Sequence, residues 1–154
     1  MSSSTTQPTQ LQRQLWMSVM AKSPAEKLSD IANTFLEQYQ FQEIRSPEIG
    51  LTQVRGRMGG TGSKFNLGDT TITRCVVRFG EELYGHSYII GRNKQHALIA
   101  AKLDALLQDT DIHDAVHDAV IKPLTWLHTQ QQQTKHATSQ TTKVDFFTLV
   151  RGED

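Results

Sequence analysis

The sequence predicts an α+β fold, with an N-terminal helical pair, a three-stranded antiparallel sheet and C-terminal helices. Three observations carry that reading. Apolar residues recur every three or four positions from Leu11 to Leu36, broken at Ser23-Pro24. Between residues 44 and 90 the period becomes two, in segments rich in Ile, Val, Thr and Tyr and punctuated by glycine. Helical spacing returns at Asn93. A chain of 154 residues that is 37% hydrophobic can bury one core, so 1–154 is read as a single domain.

Leu11, Leu15, Trp16, Met17, Val19 and Met20 predict a helix over 11–21, preceded by a dozen residues expected to be disordered. Ser23 as N-cap, Pro24 at the first helical position and Glu26 three residues after the cap mark the start of a second helix. Its core face is Leu28, Ile31, Ala32, Phe35 and Leu36. Strands are expected at 44–58, 70–79 and 83–90, joined by two hairpins. In the middle strand Thr71, Thr73, Cys75, Val77 and Phe79 share one face because side chains alternate. Cys75 is therefore read as a small core residue; no neighbour in sequence suggests a thiol of lowered pKa.

Asn93 is expected to cap a helix whose buried stripe is Ile99, Leu103, Leu106 and Leu107. A further helix over about 111–121 should stop near Pro123. Residues 128–143, polar and low in complexity, suit either an exposed helix or a mobile link. The segment 144–154 begins VDFFTLV and is expected to dock on this domain or on another chain. Phe146, Phe147, Leu149 and Val150 are its interface candidates, partner chains covering part of it.

Composition removes several function classes. Sixteen basic and sixteen acidic residues balance, so no global field draws the chain to nucleic acid or to an anionic membrane. No apolar run approaches the roughly 18 residues of a membrane span, and MSSSTTQPTQ lacks the apolar stretch of a secretory signal. A cytoplasmic protein is expected. One cysteine cannot make an internal disulfide, a four-cysteine zinc site or a three-cysteine iron-sulfur cluster.

The stretch RMGGTGSKF, residues 57–65, poses the question of an anion site. The phosphate loop G-x-x-x-x-G-K-[ST] must open a helix, whereas Gly62 is followed by Ser63-Lys64 and then by strand. Gly56, Gly59, Gly60 and Gly62 also lack the spacing and the strand-to-helix context of the dinucleotide fingerprint. Two readings stand. Arg57, Gly59, Gly60, Thr61, Gly62 and Lys64 form an anion-binding concavity, or the glycines serve a turn that needs positive φ. Arg92, Asn93 and Lys94, with His96 nearby, are a second anion candidate at a helix start; the alternative is an ordinary cap with solvated charges. His113 and His117 are four apart, with His128 beyond. The H-E-x-x-H pattern is absent and Asp114 and Asp118 suggest a solvated face, so no metal is expected. No nucleophile-base pair or paired carboxylate stands out, and the catalytic residues stay unknown.

"RMGGTGSKFNLGDTTITRCVVR", "GRNKQHA" and "VDFFTLVRG" together resemble the PhnG family, a component of the bacterial carbon-phosphorus lyase system for phosphonate breakdown. The resemblance runs from about Gln14 to the C-terminus, apart from the polar stretch 128–140. It implies action with partner subunits H, I and L to attach an alkylphosphonate such as methylphosphonate to C1 of the ribose of ATP. Adenine leaves, and ribose 1-methylphosphonate 5-triphosphate results. It further implies a core with subunits H, I and J, a radical SAM step on J, nucleoside cleavage on I, and ATPase-like subunits K and L as further partners. The PhnG protein itself then has an accessory role, with no cofactor of its own and ATP as a substrate of the complex. A scaffold without substrate contact is the alternative, and without the resemblance a free-standing anion-binding domain. Fixed cations and N–H donors are what an accessory chain can offer to a phosphonate and a triphosphate.

Overall fold

Thr9 starts the first helix by a reciprocal cap: its Oγ1 accepts from the Gln12 amide at 3.3 Å, and its own amide donates to Gln12 Oε1 at 2.9 Å. A computed structural model of the chain describes residues 8–141, with side chains through 138. The tail 144–154, with Phe146, Phe147, Leu149 and Val150, lies outside the described residues, as do 1–7. Helix α1 spans Gln10–Lys22 and buries Trp16 and Met20; α2 spans Ala25–Leu36 and buries Leu28 and Ala32. Ser23, expected to cap α2, instead closes α1. Its amide and its hydroxyl both donate to the Val19 carbonyl, at 3.1 and 2.6 Å, so the side chain is spent on the preceding helix.

Three antiparallel strands follow in the order β1-β2-β3: Gln42–Arg57, Lys64–Phe79 and Leu83–Ile90. β2 begins six residues before the expected boundary at 70. Asn66, Gly68 and Asp69 look like a loop in sequence, yet the ladder absorbs them through a register shift opposite Val54 and Arg55. The expected alternation holds where the helices cover the sheet: Thr73, Cys75 and Val77 are buried, joined by Gly85, Ser87 and Ile89 of β3.

Helix α3, Lys94–Leu107, lies on that face and buries Ile99, Leu103, Leu106 and Leu107 with neighbouring alanines. Ser87 Oγ donates to the Ala97 carbonyl at 2.6 Å. Helix and strand are so close at Gly85 that a Cβ there would lie 1.9 Å from the Ala101 carbonyl oxygen. Near its start the edge of β3 is met by side chains: Arg13 and Gln108 both donate to the Tyr84 carbonyl, at 2.9 and 2.8 Å.

Helix α4, Thr110–Val116, does not stop at Pro123. It passes through a wider π turn, His117–Ile121, into α5, Lys122–Thr141. Proline lacks an amide donor and crowds the carbonyl four residues earlier, and a widened turn just before it accommodates both defects.

Pairing of β2 with β3 ends at Ile72↔Ile90, but β1 and β2 remain paired out to Arg57↔Lys64. Eight further residues carry this two-stranded ribbon about 26 Å beyond the helix-covered sheet. Residues 51–55 and 63–69 are all exposed.

Candidate functional site

The glycine stretch forms the tip of this arm. Met58–Gly60 make a single tight turn, with Gly59 at φ 61° and Gly60 at φ 80°, and Gly62 N–H donates to the Met58 carbonyl at 2.9 Å. Arg57 Nη1 reaches back to the Gly62 carbonyl at 3.3 Å, and Thr61 is exposed beside it. The positive φ angles alone account for glycine at 59 and 60, because a Cβ at either would meet nothing within 4 Å.

The pairing sorts the tip into two faces. Gly56 opposes Phe65, and a Cβ on Gly56 would meet Leu67 Cδ1 at 2.7 Å, so Phe65 and Leu67 lie on the same side. Val54, two residues before Gly56, joins them. The opposite side carries the pairs Arg57↔Lys64 and Arg55↔Asn66. Among the described residues, Arg55, Arg57 and Lys64 enter no ion pair.

The second anion candidate sits at the other end of the ribbon. Asn93 Oδ1 accepts from the His96 amide at 2.9 Å, the expected cap, while the His96 ring turns inward to the Met20 carbonyl at 2.8 Å. Arg92 and Lys94 are exposed. Since Gly91 N–H donates to the Thr71 carbonyl, Arg92–Lys94 lie at the root of the arm, and the fold does not bring them to Arg57 and Lys64 at its tip.

Sequence reasoning missed two features. One is Asp104, fully buried in the middle of the α3 stripe. It accepts from Arg13 Nη2 at 2.7 Å, Arg13 Nε at 3.2 Å, Trp16 Nε1 at 2.8 Å and the His86 amide at 2.9 Å. An acid inside KLDALL was the available signal. Its carboxylate ties α1, α3 and β3 together, which is a structural task. Beside it, burial first and the Arg13 charge second hold the His86 pKa below its usual 6.5.

The other is an apolar cleft of about 560 Å³ between α1 and the α4–α5 segment, walled by Leu15, Trp16, Val19, Ile121 and Trp126. His113 and His117 stand at its rim with rings stacked 5.6 Å apart, and His113 Nδ1–H donates to the Leu107 carbonyl at 2.6 Å. Asp118 is taken by Lys122 at 2.6 Å, which holds its carboxyl below the usual range. His128 lines a separate hollow with Lys135 and His136. Cys75 lies in the core, 1% exposed, and burial pushes its thiol up to about 11. A thiol protonated at neutral pH is a poor nucleophile.

Comparison with known proteins places relatives beside this geometry. Residues 11–152 match the family described as "Phosphonate metabolism protein PhnG". The chain is 36% identical over 143 residues to the alpha-D-ribose 1-methylphosphonate 5-triphosphate synthase subunit PhnG of Rhizobium meliloti (strain 1021). That alignment covers 93% of this chain and 91% of the relative.

Proposed function

The chain belongs to the PhnG family of phosphonate metabolism proteins, and from that premise we propose that it is an accessory subunit of a synthase in the cytoplasm. The synthase transfers ribose triphosphate from ATP to an alkylphosphonate such as methylphosphonate. Adenine is released and ribose 1-methylphosphonate 5-triphosphate is formed. Its partners in this reading are subunits H, I and J and the ATPase-like subunits K and L.

One observation carries the subunit reading, the arm. It exposes Leu51, Val54, Met58, Phe65 and Leu67 on a two-stranded ribbon that no helix covers among the described residues. Such a ribbon is marginal in water and gains from a surface to lie on. The arm tip and the Arg92–Lys94 turn offer the cations that an anionic substrate needs, and chemistry in which adenine leaves while a phosphonate attacks C1 gains from holding both anions in place. A specific contact also favours the scaffold alternative: Arg57 already donates to Gly62 within its own turn.

The test is coexpression with subunits H, I and L followed by purification through each in turn. The chain is expected to copurify and to be required for adenine release from ATP and methylphosphonate. Alone, it should release no adenine. Steady release by the rigorously purified chain, abolished by a point change within it, would overturn the accessory role.

A further inference from the structure

We propose that Arg55, Arg57 and Lys64, on one face of the arm, bind the triphosphate end of the nucleotide substrate, in a site completed by another subunit that covers the opposite, apolar face. This rests on the synthase reading above and deepens it. It adds Arg55, which no glycine motif points to, and it assigns the binding to side chains rather than to loop amides.

The geometry supports a polyphosphate over a single phosphoryl group. Arg57 and Lys64 are cross-strand partners about 5 Å apart at their backbones. Arg55 stands two residues back on the same face, about 7 Å further along the strand. Three cations in that layout follow an extended chain of charges, whereas a lone phosphonate dianion would be met by one or two of them. None of the three is neutralised by an ion pair among the described residues. The acid on the same face is Asp69, paired with Gln53 one step below Arg55, so the cationic patch ends there.

The loop amides are less available. Gly62 N–H and Thr61 N–H are both already bonded to the Met58 carbonyl. Because Val54, Phe65 and Leu67 occupy the other side, burying them against a partner leaves the cations facing away from that contact. A patch on an exposed ribbon has little hold on a polyanion in water, where salt screens it. Seating the ribbon on that subunit holds the three charges in one geometry, which lowers the ordering cost of binding the polyanion.

The experiment uses the assembled synthase with Arg55→Gln, Arg57→Gln and Lys64→Gln, and with Lys135→Gln on α5 as the control. Assembly is read by size exclusion, KM is measured separately for ATP and for methylphosphonate, and inorganic triphosphate serves as a competitive inhibitor. The expected result is intact assembly, a KM for ATP raised roughly tenfold or more for each lost charge, a comparable loss of inhibition by inorganic triphosphate, and an unchanged KM for methylphosphonate. Retention of near-normal KM by Arg55→Lys would support a charge role over packing. A shift confined to methylphosphonate, an unchanged ATP dependence in the assembled enzyme, or dissociation by the charge variants would each overturn the assignment. Failure of the unmodified chain to join or support the synthase is a different outcome and overturns the reading beneath it.

Discussion

β2 runs from Lys64 to Phe79, and its two halves meet different surroundings. Residues 73, 75 and 77 are buried under α3 and paired with β3, and 73 and 77 are paired with β1 on the other side. Residues 64–69 have β1 as their single neighbour among the described residues and are exposed throughout. The first half is held by what it excludes from water, the second by its ladder and a tight turn. Side chains in the covered half therefore answer to the core, and those in the arm are free to answer to whatever the arm meets. The two glycine settings show the contrast in small: Gly85 is glycine because a helix presses on it, Gly60 because its own backbone turns the wrong way for a side chain.

If the covered half is as constrained as this implies, the largest loss of stability should come from Asp104→Ala. The change leaves Arg13, the Trp16 indole and the His86 amide without their shared acceptor in the interior. Breaking a buried pair of this kind costs about 3–5 kcal/mol, to be read from urea unfolding of the isolated chain. A loss below about 1 kcal/mol would mean that water or a rearranged Arg13 replaces the carboxylate. Gly85→Ala comes next. Its Cβ would sit 1.9 Å from the Ala101 carbonyl and 2.7 Å from the Ala105 amide, both backbone atoms, so α3 must move away from β3. Overpacking of this sort costs about 1–3 kcal/mol.

The same contrast explains what could be read from the sequence. The covered elements were legible because burial imposes a period: the helical stripes, the alternation through Cys75 and the Asn93 cap all follow from it. Ser23 and Pro123 were misread because each stands where one helical segment meets the next, and local signals do not say which helix takes the hydroxyl or whether a wider turn absorbs the proline. The arm was legible only as a glycine-rich connection. No core stamps a pattern on 64–69, and the shift opposite Val54 and Arg55 reverses which residues share a face. Arg57 and Lys64 were visible as flanking cations, but the alignment of Lys64 with Arg55 and Arg57 appears only when the pairing is known.

In the arm, Gly60→Val should cost less than the changes in the covered half. Nothing lies near its Cβ, so the penalty is the left-handed backbone alone, about 1–2 kcal/mol for a side chain and toward the upper end for a β-branched one. Its unfolding midpoint should fall less than that of Gly85→Ala; the reverse order would show that the turn, and not the covered sheet, limits stability.

A smaller effect should appear as a pH dependence of the covered half. The folded pKa of His86 lies below its unfolded value near 6.5, so below that pH the unfolded chain takes up more protons than the native one. Stability then falls as pH drops from 6.5 toward the folded pKa and levels off below it. Urea midpoints measured from pH 7.5 to pH 5 should show this decline, and His86→Gln should flatten it. An equal slope in that variant would assign the decline to other groups.

Arg57→Ala should be the mildest change of all for the isolated chain, and for that reason it separates the two halves most cleanly. The guanidinium makes one exposed hydrogen bond to Gly62, and the turn keeps its own Gly62 to Met58 bond without it. Unfolding free energy is expected to stay within about 0.5 kcal/mol, as for most surface substitutions. In the assembled synthase the same change should leave the subunits together and raise the ATP concentration needed for turnover, a loss of about 1.5–3 kcal/mol if one charged hydrogen bond to the triphosphate is removed. An arm used for contact alone predicts the opposite pattern, with weakened assembly and unchanged substrate dependence in whatever complex remains. Dissociation, or unchanged turnover across ATP and methylphosphonate concentrations, would remove Arg57 from the substrate and leave the tip as a turn that serves the interface.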